Sequence, residues 1–231
     1  MLSLSSLAVE KSGRVLGAFS ALYFHHYDLH PLALFKHYRP LGVVSAAIYE
    51  LDEAVERGAG LEECQCGLEN IAAYIKASSG HIPAIYAHLT DAYSYYRFEI
   101  NCVCGDQLYS LEDLKLALSW RSFDFRVLHL VLLQILGSTP DERLLAWFHV
   151  FEMLMEIQDD KLSEDEDRRK RTMNTFCLLS RLQLPVDVDL CAELRTQLAE
   201  AFSALDSKAQ IACRNTEAIY KLLCKADSRH V

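Results

Sequence analysis

The sequence has few strand signals, few chain breakers and no run of apolar residues long enough to span a membrane. A bilayer-crossing helix needs about 20 consecutive apolar residues. The longest candidate here, FRVLHLVLLQILG, is interrupted by Arg126 and His129 and reads as a core helix. Stable membrane insertion is therefore not expected. Positive charge is also short, with 23 Lys and Arg against 32 Asp and Glu and a net charge of −9. Nucleic-acid binding needs a basic field, so this balance argues against DNA or RNA as a partner. The N-terminal stretch MLSLSSLAVEKSGRVLG has no charged region ahead of its apolar residues and no convincing cleavage site. It is not read as a secretion signal. A cytoplasmic location is expected, with an organelle stroma as the alternative.

What remains is mostly hydrophobic, 51% of 231 residues, enough to build a large core. The five prolines and nine glycines mostly sit where helices would stop. Helical apolar spacing runs through 13–30, 40–60, 60–80, 82–100, 110–137, 139–182 and 187–226. Ser110 with Asp113 looks like a capping box, and Thr139 followed by Pro140 looks like a helix start. Several of these segments are apolar on more than one side, as helices inside a bundle are. One all-α domain over 1–231 is expected, a helical bundle around an apolar pocket. A homodimer is left open.

Eight cysteines without a secretion signal suggest reduced thiols. Cys64/Cys66 and Cys102/Cys104 have C-x-C spacing, but zinc sites on turns usually show C-x2-C, so free thiols are the simpler reading. His26 and His30 stand one helical turn apart, without the matching Glu-x-x-His helix of a di-iron bundle. Arg97 and Glu99 read either as a surface ion pair or as groups near a pocket.

The segment MLMEIQDDKLSEDEDRRKRT sorts its charges, acids first and bases after. On a helix, Asp160, Ser163 and Asp167 fall on one face, flanked by Glu156 and Glu164. Oxygen ligands of this kind suit Mg2+, which uses a few carboxylates together with substrate phosphates. The following bases Arg168 and Arg171 could then meet the phosphates. The plainer reading is a solvated helix end with ion pairs such as Glu164 with Arg168. A second apolar helix, VVSAAIYELDEAVERG, also ends in acids: Asp52, Glu53 and Glu56.

The spacing in DDKLSEDED resembles the second metal motif of class I terpene synthases. Asp159, Asp160, Ser163 and Asp167 occupy its four places, with Asp for the usual Glu. DEAVE resembles the first, aspartate-rich motif of that isoprenoid synthase superfamily, and RSFDF resembles its helix break, with Arg121 as diphosphate sensor beside Asp124 and Phe125. The resemblance covers about residues 40–185 and implies the isoprenoid synthase fold, with both acid motifs facing each other across a cavity mouth. It implies Mg2+-assisted ionisation of a prenyl diphosphate, with aromatic side chains such as Tyr49 and Tyr93 sheltering a carbocation. Tyr86, Tyr96, Phe123, Trp147 and Phe151 are further lining candidates. Metal falls to Asp52, Glu53, Glu56, Asp159, Asp160, Ser163 and Asp167; catalysis to Asp52, Glu56, Asp160 and Arg121. An Asp160→Asn change is then expected to leave thermal stability unchanged or slightly raised. The alternatives are a chain-elongating or condensing prenyltransferase of the same fold, and a non-catalytic helical protein that uses its acidic helix end to bind a basic partner.

Overall fold

The structure is a computed structural model and describes residues 4–80, 82–104, 109–170, 172–183 and 190–227. It is all-helical, and no strand occurs among the described residues. Among the described residues ten α-helices follow one another: α1 Ser6–Tyr23, α2 Leu34–Glu56, α3 Leu61–Ser79, α4 Pro83–Cys104, α5 Leu111–Arg121, α6 Phe123–Leu136, α7 Glu142–Lys170, α8 Thr175–Arg181, α9 Leu190–Ser203 and α10 Ser207–Asp227. Two 3-10 turns, Phe24–Tyr27 and Pro31–Ala33, link α1 to α2. None of the described helices is long and apolar enough to cross a membrane.

Helix α6 is the axis. Every residue from Arg126 to Leu133 is buried, so no face of its central turns meets water. Consecutive helices pack as neighbours, α1 on α2, α2 on α3 and α3 on α4. α2 and α4 also lie against α6, α7 packs on α8 and α9, and α10 returns to α1. One continuous apolar cluster runs through the bundle, from Leu16 in α1 to Cys213 in α10.

Several boundaries differ from the sequence reading, each for a local reason. The stretch 110–137 is two helices. Helix α5 starts at the capping box of Ser110 and Asp113, stops at Arg121, and α6 restarts at Phe123. Arg126 reaches back and donates to the carbonyls of Ser119 (2.8 Å), Trp120 (3.0 Å) and Ser122 (3.2 Å). One guanidinium therefore supplies partners to carbonyls that the end of a helix leaves unpaired.

The stretch 139–182 also divides, into α7 and α8. Its first helix begins at Glu142 rather than at Pro140, because the Asp141 carboxylate accepts from the Arg143 backbone N–H (3.0 Å) and takes the capping role expected of Thr139. Helix α2 starts at Leu34 and carries Pro40 inside it. At the far end of α6, Gly137 adopts φ +64°, the left-handed turn that lets the chain reverse towards α7.

Candidate functional site

Five helices and the α5–α6 break line one cavity of about 800 Å3. On α2, Tyr49, Asp52 and Glu56 follow at i, i+3 and i+7 and so share the face that lines it. On α7 the same spacing places Glu156, Asp159, Ser163, Glu166 and Asp167 along its lining. The break contributes Arg121, Phe123, Asp124 and Phe125. Tyr95, Tyr96 and Glu99 come from α4, Lys11 and Arg14 from α1, and Tyr220 and Cys224 from α10. The acid clusters of α2 and α7, about a hundred residues apart in sequence, thus share one cavity with Arg121.

Eight carboxylates and three cations line that space, so it carries net negative charge. The chemistry of crowding follows. Burial, and then the charges of Glu99 and Glu56, push Asp52 up to about 8. Burial pushes Glu99 up to about 7, against the opposing pull of Arg121. Glu156 is pushed up to about 7 for the same reasons. Burial also raises Asp124, which the Tyr49 hydroxyl partly relieves by donating to its Oδ2 (2.9 Å). Glu99 Oε2 and the Tyr96 hydroxyl are buried without a hydrogen-bond partner among the described residues. Such groups stay raised or unpartnered until a cation or donor arrives.

Arg121 is engaged. Its Nε meets Glu156 Oε2 (3.0 Å) and its Nη1 meets Asp160 Oδ1 (2.7 Å). Asp160 itself is fully buried and is not part of the cavity lining. Its other oxygen accepts from the Thr175 backbone N–H at the start of α8 (2.8 Å). Asp167 accepts from Ser163 (2.5 Å), Thr172 (3.1 Å) and Asn174 (2.9 Å), while Asn174 also donates to the Asp160 carbonyl (2.7 Å). The acids of α7 therefore do two things at once. They line the cavity, and they clamp the turn into α8.

The remaining residues singled out in the sequence sit elsewhere. Glu53 is buried against Lys11 and reaches Arg57 (3.7 Å), outside the lining. Arg168 is exposed and pairs with Glu164 (2.5 Å) along its own helix, the ion pair of the plainer sequence reading. Tyr93 is half-buried and off the cavity. Trp147 and Phe151 stack on each other (4.9 Å) in the core. Arg171 lies outside the described residues. Cys64 is buried while Cys66 is exposed, so that pair does not converge; the side chain of Cys104 is likewise not described. Sequence reasoning passed over Lys11, Arg14 and Tyr95, and it left Glu99 undecided. An acid one turn after Tyr95 and Tyr96 on an apolar helix was the available signal for Glu99.

Among the described residues, no three His, Cys, Asp or Glu side chains stand together as a ready-made metal cage. The donor set is nonetheless all oxygen and excess negative, with one carboxylate oxygen unpartnered. That suits a hard divalent cation which takes one or two carboxylates and completes its shell with water and phosphate. Neither the family models nor the curated proteins nor the solved structures give a match to this chain.

Proposed function

We propose that this chain binds a prenyl diphosphate together with Mg2+ and ionises it, the step that class I terpene synthases share with chain-elongating prenyltransferases of the isoprenoid synthase fold. The observation that carries the reading is the convergence of the α2 acids, the α7 acids and Arg121 on one tyrosine- and phenylalanine-bearing cavity. A bare diphosphate would meet a lining in which acids outnumber bases and few positive partners are free, so the reading requires divalent cations to enter with it.

Asp52 and Glu56 on one helix and Asp159, Ser163 and Asp167 on another would hold Mg2+, which when bound supplies Lewis acidity at the leaving diphosphate. Arg121 supplies a bidentate donor set to the same oxygens once it exchanges Glu156 or Asp160 for phosphate. Tyr49, Tyr96, Phe123 and Phe125 give the hydrocarbon chain an aromatic surface that favours a developing cation and limits water at the reacting carbon. Asp52 and Glu99, pushed up by burial and mutual repulsion, return towards their charged forms when cations arrive.

The test has two parts. Melting temperature is measured with Mg2+ and pyrophosphate, separately and together, and C10, C15 and C20 prenyl diphosphates are then offered in Mg2+ buffer with product detection. A shift that needs both ligands, with pyrophosphate release from at least one substrate, is the expected result. No shift with any combination rejects the metal–diphosphate assignment.

A further inference from the structure

At the opposite chemical extreme from the acidic cavity stands the corner formed by the second 3-10 turn and the first turns of α2. Leu32 is 64% exposed and Phe35 is 79% exposed, the largest exposure among the described large apolar side chains that stand in the open. They are three residues apart and so lie on one side of the chain as it enters α2. Tyr38 differs, since its ring lies onward along α2 over Gly42, where an added Cβ would sit 3.1 Å from it; it is less exposed, at 42%, and leaves Leu32 and Phe35 as the most exposed pair here. Lys36 and Arg39 flank that pair and are exposed. Neither pairs with a carboxylate among the described residues.

The charge of this segment reverses that of the molecule. Residues 29–49 contain no Asp or Glu, in a chain of net charge −9. Asp28, the nearest acid in sequence, is occupied by Lys208 (2.9 Å). Over distances beyond about 8–10 Å the remaining negative charge is screened by salt, so a surface touching this corner meets two cations and two projecting apolar side chains.

We propose that this corner docks the protein on anionic membrane surfaces, Leu32 and Phe35 entering the headgroup–acyl boundary while Lys36 and Arg39 contact lipid phosphates. The arrangement favours lipid over a protein partner for two reasons. The apolar groups are two highly exposed side chains three residues apart rather than a broad apolar face, and the flanking cations complement a negatively charged leaflet. Docking of this kind is peripheral and needs no spanning helix. It rests on the surface alone and is independent of what the cavity binds.

The experiment is co-sedimentation of the full chain with vesicles of phosphatidylcholine alone and of phosphatidylcholine mixed with phosphatidylglycerol. Binding to the mixed vesicles, weakened by added salt and reduced about tenfold in Leu32→Ser/Phe35→Ser and in Lys36→Glu/Arg39→Glu, is expected. Circular dichroism confirms that both variants are folded. Equal pelleting with both vesicle types, absence of pelleting, or unchanged binding in both folded variants overturns the proposal. A concentration-dependent dimer that Phe35→Ser abolishes would assign the corner to a second copy of the chain and overturn it as well.

Discussion

Asp160 shows how far a residue's role can be read from spacing and where the reading stops. The helical period places it with Ser163 and Asp167, and that alignment holds: the Asp167 and Asp160 ends of the run are joined through Asn174. Depth is what the period does not give. Asp160 is fully buried, one oxygen on Arg121 and the other on Thr175, so the expectation that Asp160→Asn leaves stability unchanged is corrected. Removing one partner of a buried ion pair costs about 3–5 kcal/mol, and a lower melting temperature than wild type is predicted in buffer without metal. Arg121→Lys keeps the charge and loses the planar fork; a weaker Mg2+-dependent pyrophosphate response in calorimetry is expected, and equal affinity would assign Arg121 to the Glu156–Asp160 clamp alone.

The titration of the buried acids adds a pH signature at the same scale. Asp52, Glu99 and Glu156 stay protonated in the fold up to about 8, 7 and 7, and Glu152, buried under the Tyr23 hydroxyl, up to about 8. In the unfolded chain such groups ionise near 4. Between those values the folded state holds more protons, so stability falls as pH rises. Burial holds His26 and His129 down to about 3 and His149 to about 4, which works the other way below their unfolded value near 6.5. Above that value the histidines are neutral in both states. Melting temperature should therefore decline from pH 6.5 to about 8, and Asp52→Asn should decline less steeply over the same window.

At the scale of the element, the break between α5 and α6 does most to shape the site. It ends α5 at Arg121 and restarts the chain at Phe123, so the cavity is lined by a helix end, Arg121, and a helix start, Phe123 to Phe125. The stretch RSFDF carried the break only through its resemblance to a family motif, since neither proline nor glycine marks it. The physical cause lies downstream, in Arg126 gathering the carbonyls of Ser119, Trp120 and Ser122 and standing 3.7 Å from Glu152. Because it is one side chain serving several buried acceptors, Arg126→Met should destabilise by about 3–5 kcal/mol in urea unfolding. Lysine at this position should not rescue it, having no fork to share among three carbonyls. Helix existence was otherwise legible from apolar spacing, whereas caps supplied by side chains several residues away, as at Asp141, moved the boundaries.

Across the whole molecule, the meeting of α2 and α7 at one cavity is a tertiary fact that no local pattern contains. Each helix announces an apolar body and an acidic end; only packing through α4 and α6 decides that the ends meet. The expected apolar pocket is correspondingly more acidic than the sequence reading has it, because α4 adds Glu99 and α7 adds Glu166. Helix α6, enclosed from Arg126 to Leu133, has a further consequence for motion. Its amides have no route to solvent short of disassembling the bundle around them, so in deuterated buffer they should be the last to exchange, at rates set by global unfolding. The exposed first turns of α2 around Phe35 should exchange early, and a hydrogen-exchange map would then grade the protein from that outer corner to its α6 axis.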